Sequence, residues 1–404
     1  MFVHSPNEQS SSRGSGQLDL RRQNTVQVLQ RVWAEQMSRA ELARRTGLSR
    51  STVTAITSEL IEMGWVVEGR VAASSGGRPP TLLKVRRDFR HLVGVELGAS
   101  HAAVVLTDLM GQVLGGAERS LDVQGDPEGT QRAMLELVDE VLVDAGVRVD
   151  QLAGLGLGLP CPLPATDALD PNILPAWVGH RPAQRIGDYL GVPVYSENDA
   201  NLGALAELWW GAGRGVGDFS YIKIATGVGA GHIIDGRVYR GSGGIAGEIG
   251  HTAIDSRGPK CRCGLNGCLE AMVGRETLEA RLGRPLETIL QDAERGDPQV
   301  LQAIADAGEY LGIAVANLLN LLNPARVILG GRLTRAGDAL LTPAREAARG
   351  RALFTTVENS RLLFSELGDE AVALGAATLV LQAVLEDPFR FTTPPGSARQ
   401  PMEA

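Results

Sequence analysis

The sequence predicts an α/β protein with two folded parts: a small helical front end and a larger body made of two similar halves. Three observations predict it. The chain has 404 residues, more than one ordinary domain needs. Residues 1–90 hold 14 Arg and Lys against 8 Asp and Glu, a net +6, while the whole chain is −8. A basic front end on an acidic body is the footprint of a small nucleic-acid-binding module joined to something else. Finally, Val93-Gly-Val-Glu-Leu-Gly98 leads through Asp108 to Gly111 into another apolar stretch, and Tyr221-Ile-Lys-Ile-Ala-Thr-Gly227 leads through Asp235-Gly236 into Val238. These two glycine-punctuated hairpins suggest a duplicated α/β domain with a ligand cleft between its halves.

Composition narrows the class. With 44% hydrophobic and 21% charged residues, a collagen-like or mainly disordered chain is excluded. Glycine is 50 of 404, about 12% against a usual ~7%, which points to tight turns or loops whose backbone approaches a ligand. No run of 18 apolar residues stands out, so no membrane span is expected. The polar stretch Met1 to Gly16 lacks the apolar core of a secretory signal, so a cytoplasmic location is expected.

Along the chain, residues 1–16 read as a disordered tail and 17–90 as the front domain. Residues 91–124 read as two strands joined by a turn, opening a body that runs to 386. Residues 387–404 are Pro-rich and expected to be a flexible end. Within the front domain, Asn24 to Ala34 puts Val28, Leu29, Val32 and Trp33 on one helical face. Ser38 stands three residues before Glu41, the spacing of a capping box. That helix carries Leu42 and Ala43 and stops near Gly47, which accepts the positive φ of a tight turn. Leu48 can fill the angle between helices, and Ser49 caps the next one.

On that next helix Val53, Ile56, Leu60 and Ile61 share one face. Arg50, Ser51, Thr52, Thr54 and Ser58 share the other, and such small polar groups let a helix approach the major groove closely. Gly64 closes the helix. Trp65-Val66-Val67 and Leu82 to Val85 then pair around Ser74-Ser75-Gly76-Gly77-Arg78-Pro79-Pro80, a wing whose Arg78 can enter a minor groove or hold a phosphate. A small bundle used only for oligomerisation is the plainer alternative. Helix, turn, recognition-like helix and Gly-Arg-Pro wing, in that order on a basic segment, favour a winged helix-turn-helix. Its expected DNA contacts are Arg39, Ser49, Arg50, Ser51, Thr52, Thr54 and Arg78.

In the body, His251, Cys261, Cys263 and Cys268 give H-x9-C-x-C-x4-C. Four soft or borderline ligands suit tetrahedral Zn²⁺, and four protein ligands leave no open position, so the role is structural. Cys161 reads as a packed core thiol. Two carboxylates flank the metal motif, Glu248 before His251 and Glu270 after Cys268. A third polar group, Ser196-Glu197-Asn198-Asp199, follows a short strand from Val192 to Tyr195 and opens the helix Ala200 to Trp210, where a helix N-terminus orients a carboxylate. Carboxylates with an amide suit a polyol, and an Asp there could act as a general base. Singly, Asp199 could be a mere cap, and Glu248 and Glu270 solvated acids.

Together these residues resemble the ROK family of repressors, open reading frames and sugar kinases, over about residues 20–385. The most specific part is Gly247-Glu248-x-x-His251 with Cys261-x-Cys263-Gly264-x-x-Gly267-Cys268-Leu269-Glu270, followed by Glu197-Asn198-Asp199-Ala200-Asn201. The resemblance implies an actin-like (ribonuclease H-like) two-lobed domain. It also implies sugar binding by Asn198, Asp199, Glu248, His251 and Glu270, with His251 serving both metal and sugar and Asp199 the base of any kinase. Kinases of this fold hold ATP phosphates on an Asp-x-Gly-Gly-Thr-x-Lys-like turn. Here that turn is Glu96-Leu97-Gly98-Ala99-Ser100-His101: the Asp is a longer Glu, the second Gly is Ala and the Lys is absent. A second phosphate loop, Ala225-Thr226-Gly227-Val228-Gly229-Ala230-Gly231, and an adenosine-side turn, Leu329-Gly330-Gly331, survive. Neither ATP with Mg²⁺ nor a working catalytic residue is expected.

The sequence thus reads as a sugar-responsive transcriptional repressor of carbohydrate genes, a homodimer or homotetramer on a pseudo-palindromic duplex operator. The rival is an ATP-dependent sugar kinase with an accessory DNA-binding segment, and a third reading makes the front end an interaction module without DNA.

Overall fold

The computed structural model describes residues 15–71, 80–163, 173–353 and 360–392. The wing tip with Arg78 lies outside the described residues. The first helix, α1 (Ser15–Ala34), begins inside the stretch expected to be a tail. Strand β1 (Met37–Ser38) and helices α2 (Arg39–Thr46) and α3 (Arg50–Glu62) follow, then β2 (Val66–Val71) and β3 (Thr81–Val85). Ser38 Oγ accepts the Glu41 N–H at 3.2 Å and Ser49 Oγ the Thr52 N–H at 3.1 Å, so both expected caps form, each worth about 1 kcal/mol. Gly47 turns between the helices at φ 73°. Val53, Ile56 and Leu60 of α3 are buried with Val28, Leu29 and Leu42. The short β1, which no sequence pattern marks, joins β3 and β2 in a three-stranded antiparallel sheet.

Among the described residues, the body contains two five-stranded sheets of the same topology. The first runs β4 (His91–Leu97), β5 (His101–Thr107), β6 (Val113–Ser120), β7 (Leu152–Leu159) and β8 (Val194–Asn198) in the order β6-β5-β4-β7-β8. The second runs β9 (Phe219–Ile224), β10 (Val228–Ile234), β11 (Arg237–Tyr239), β12 (Arg326–Gly330) and β13 (Arg361–Phe364) in the order β11-β10-β9-β12-β13. In each, three antiparallel strands are extended by two parallel ones. The hairpin echo in the sequence is therefore a true duplication. The stretch 91–124 holds three strands rather than two. The third, β6, alternates exposed and half-buried positions around Gly115-Gly116, so it carries no apolar run to reveal it.

Helices α4 (Pro127–Asp144) and α5 (Pro182–Leu190) belong to the first half. Between the sheets lie α6 (Asp199–Trp210) and the late helix α12 (Ala371–Glu386). The second half is covered by α7 (Glu270–Val273), α8 (Arg275–Leu282), α9 (Leu286–Glu294), α10 (Pro298–Leu322) and α11 (Asp338–Arg349). Helices α6 and α12 cross closely because Gly375 has no Cβ to strike the Leu202 carbonyl. The span Gly368–Glu386, which includes α12, is long and apolar enough to cross a membrane, but 67% of its apolar window is buried inside the fold. It is a core helix here. After α12, Phe391 is buried, and Arg90 donates to the carbonyls of Phe391 at 3.0 Å, Thr392 at 3.1 Å and Asp150 at 2.9 Å. That clasp ties Phe391 and Thr392, inside the stretch expected to be a flexible end, to the body.

Candidate functional site

The front domain presents one polar helix face. Ser49, Arg50, Ser51, Thr54 and Ser58 are exposed, and Thr52 is half-buried. Ser49 Oγ lies 2.9 Å from Ser51 Oγ and 2.8 Å from Thr52 Oγ1, so the start of α3, where Arg50 is exposed, carries a pre-formed hydroxyl cluster. Arg39 is placed differently. It donates from Nε to Thr57 Oγ1 at 3.1 Å and from Nη1 to Glu68 Oε1 at 2.9 Å, tying α2 to α3 and β2.

The metal motif assembles into one cluster. The ligand atoms of His251, Cys261, Cys263 and Cys268 all lie within 4.8 Å of one another. Cys263 Sγ and Cys268 Sγ are 3.6 Å apart, and Cys261 Sγ is 3.6 Å from His251 Nδ1. Those separations approach the ~3.8 Å edge of a tetrahedron with 2.3 Å Zn–S bonds and are far beyond a disulfide's 2.05 Å. Burial, reinforced by Cys263 and Cys261, pushes the Cys268 thiol up to about 12. A divalent cation supplies the counter-charge that such thiolates lack. The donor set therefore fits a tetrahedral, sulfur-preferring ion.

The same cluster touches the cleft. His251 turns Nδ1 to the thiols, while its Nε2 lies 4.0 Å from Glu248 Oε2. Glu270 opens α7 two residues after Cys268 and is 7% exposed. Its Oε2 accepts the Val228 N–H at 3.0 Å, and Arg262, between two of the cysteines, grips both oxygens at 2.6 and 3.0 Å. Nothing in the sequence motif marked Arg262. Asn198 caps α6, its Oδ1 accepting the N–H groups of Ala200 at 3.0 Å and Asn201 at 3.2 Å. Its Nδ2 donates to the carbonyl of Cys161, a buried core thiol, at 3.2 Å. Glu197 backs this turn, accepting from Asn198 N at 2.9 Å, Asn201 Nδ2 at 3.0 Å and Arg240 at 2.6 Å.

At the turn expected to hold ATP phosphates, a buried set of charges joins the two halves. Lys223 of β9 crosses to the other half and donates to Glu96 Oε1 at 2.6 Å and Asp199 Oδ2 at 2.9 Å. Lys223 is 8% exposed and Glu96 2%. Burial disfavours the ammonium, but Asp199 and Glu96 outweigh it and hold Lys223 charged well above the usual lysine range. Asp199 Oδ1 accepts the Ala200 N–H at 2.7 Å, so both carboxylate oxygens are engaged. The His101 ring packs over Gly98, where an added methyl would strike it.

The surviving glycines also have packing duties. A Cβ at Gly227 would lie 2.6 Å from Glu270 Oε2, and one at Gly229 would lie 3.3 Å from the Ala200 Cβ. A Cβ at Gly231 would strike the Ala200 carbonyl, at Gly330 the Tyr221 hydroxyl, and at Gly331 the Ile224 carbonyl. Glu96, His101, Lys223, Thr226, Gly331 and Arg332 line one groove of about 540 Å³ including open solvent.

Comparison with known proteins follows the same division. Residues 92–383 match the ROK family and residues 18–67 the winged helix-turn-helix DNA-binding family. The chain is 31% identical to a xylose repressor of Caldicellulosiruptor bescii over 392 residues, covering 91% of this chain and 98% of that protein. A crystal structure of a ROK family transcriptional regulator, a homologue of the E. coli MLC protein, matches with TM-score 0.77 at 26% identity over 92% of this chain and 99% of that one. A ROK family glucokinase from Streptomyces griseus with glucose and AMPPNP matches with TM-score 0.65 at 27% identity over 72% of this chain and 99% of that one.

Proposed function

From the premise that this chain belongs to the ROK family, we propose that it is a sugar-responsive DNA-binding repressor whose cleft binds a sugar without phosphorylating it. The observation that carries this reading is Lys223 lodged between Glu96 and Asp199. A kinase needs Asp199 free to take a proton from a sugar hydroxyl, and needs its phosphate turn open to metal and nucleotide. Here an ammonium occupies the first and the His101 ring covers the second.

Asn198, Asp199, Glu248, His251 and Glu270 form the sugar side of the cleft. Asn198 keeps one amide hydrogen for a hydroxyl, and Glu248 Oε2 lies 4.0 Å from His251 Nε2 on the same side of the cleft. Arg262 and the Val228 N–H take three of the acceptor directions of Glu270, leaving it room for one further donor. His251, Cys261, Cys263 and Cys268 would hold structural Zn²⁺, which supplies charge compensation for the thiolates and a cross-link between the loops bearing Glu248 and Glu270. Arg50, Ser51, Thr52 and Thr54, started by the Ser49 cap and joined by Arg78 of the wing, would contact a pseudo-palindromic operator as a dimer or tetramer in the cytoplasm. Arg39 would act there by holding α2 against α3.

Fluorescence anisotropy on DNA from upstream of the protein's own gene, with D-xylose, D-glucose and N-acetyl-D-glucosamine at fixed salt, tests the proposal. Specific binding weakened by one sugar is the expected result. Sugar-dependent ADP release that Asp199→Asn abolishes would replace it with the kinase reading.

A further inference from the structure

The helix that begins in the sugar side of the cleft ends against the first helix of the DNA-binding domain. Asn198 caps α6 and Asp199 is its first residue. Its last two residues, Trp209 and Trp210, meet Trp33 of α1 edge-on, with ring centroids 5.1 and 6.1 Å away. Trp33 is further fixed by donating Nε1–H to the Leu109 carbonyl at 2.7 Å, and Trp210 by donating to Thr378 Oγ1 of α12 at 2.8 Å. Twelve residues of helix span about 18 Å.

Nothing along that length gives way easily. The Gly231 backbone lies against the Ala200 carbonyl, the Tyr221 ring against Gly203, and the Leu202 carbonyl against Gly375 of α12. A close-packed rod of this kind moves as a unit rather than bending, because interiors repack between discrete arrangements.

We infer that α6 couples the sugar site to the DNA-binding domain, with Trp33, Trp209 and Trp210 as the positioning residues that carry its movement to α1. The inference rests on the reading of the cleft as a sugar site and the front domain as the DNA reader. A sugar that engages Asn198 and Asp199 and displaces the N-terminus of α6 relative to Lys223 moves the tryptophan pair at its far end. That shifts the seat of α1, against which α3 packs. Coupling of this kind is reciprocal: sugar weakens DNA binding by the same factor as DNA weakens sugar binding.

The test measures three constants in the full chain: operator Kd without sugar, sugar Kd without DNA, and operator Kd at saturating sugar. The probes are the upstream fragment and whichever of D-xylose, D-glucose or N-acetyl-D-glucosamine binds in calorimetry. Trp33→Leu is expected to leave the sugar Kd within about twofold, while the ratio of the two operator constants drops at least fivefold toward one. Trp210→Phe reads the same contact from the effector side and covers the case in which Trp33→Leu no longer binds operator. Both variants keeping the wild-type ratio would overturn the inference. A wild-type ratio of one instead defeats the sugar-sensor reading itself, so the two failures are distinguishable.

Discussion

The Lys223 ammonium stands 2.9 Å from Asp199 Oδ2 and 2.6 Å from Glu96 Oε1, joining the two halves of the body. Removing one partner of such a buried set leaves the others without a counter-charge, at a cost of about 3–5 kcal/mol. Lys223→Met should therefore lower the unfolding free energy by that order. Adding Glu96→Gln should return part of the loss, because one buried charge goes with it. Denaturant unfolding of the four chains of this cycle measures the coupling, and strict additivity would remove the argument that the three groups act as a unit.

His101 gives the cleft a pH signature. Burial first, then the Lys223 and Arg332 charges, hold its pKa down at about 4, while Glu118 and Asp369 pull the other way; Glu96 lies 3.8 Å off. An unfolded histidine titrates near ~6.5, so the unfolded chain takes up this proton first as pH falls. The contribution is whole above ~6.5 and is lost as pH drops toward 4, by up to about 3 kcal/mol. Urea midpoints should fall more steeply across that window for the wild type than for His101→Gln. Parallel slopes would show that His101 does not titrate this way.

Cys268→Ser should abolish stoichiometric metal binding, read by elemental analysis and by the visible bands of Co²⁺ in a tetrahedral sulfur site. Glu270 follows Cys268 by two residues and Glu248 precedes His251 by three, so loosening the cluster should also weaken sugar binding by about tenfold, ~1.4 kcal/mol. Unchanged sugar affinity in the metal-free protein would separate the two sites.

Arg50 is exposed at the start of α3, so Arg50→Ala should leave the fold intact. It should weaken operator binding by about 1–3 kcal/mol. If Arg50 holds a phosphate, the salt slope falls by about one and all sequences suffer alike. If it reads a base, specificity relaxes at one position. A change under twofold in titrations at fixed salt removes Arg50 from the interface.

The elements legible in the sequence are those whose causes lie a few residues apart. Ser38 with Glu41, Ser49 with Thr52 and the apolar face of α3 each sit within a turn or three of helix. The His251 and cysteine ligands fall within eighteen residues, so their spacing alone predicts the cluster that the fold closes. The repeated hairpins announced the duplicated sheets because each hairpin is a local object. Lys223 was written plainly as one of only three lysines in the chain, yet its partner Glu96 lies 127 residues away. No periodicity encodes a contact across a cleft. Arg90 on the chain end and Trp33 on α6 were hidden for the same reason, whereas Arg262 and Glu270, only eight residues apart, sit on an irregular loop with no repeating period to pair them. Sequence determines what each segment is, because backbone geometry and side-chain period act locally. Tertiary structure decides which charge meets which, because only packing brings distant side chains within the few ångströms over which a hydrogen bond or ion pair acts.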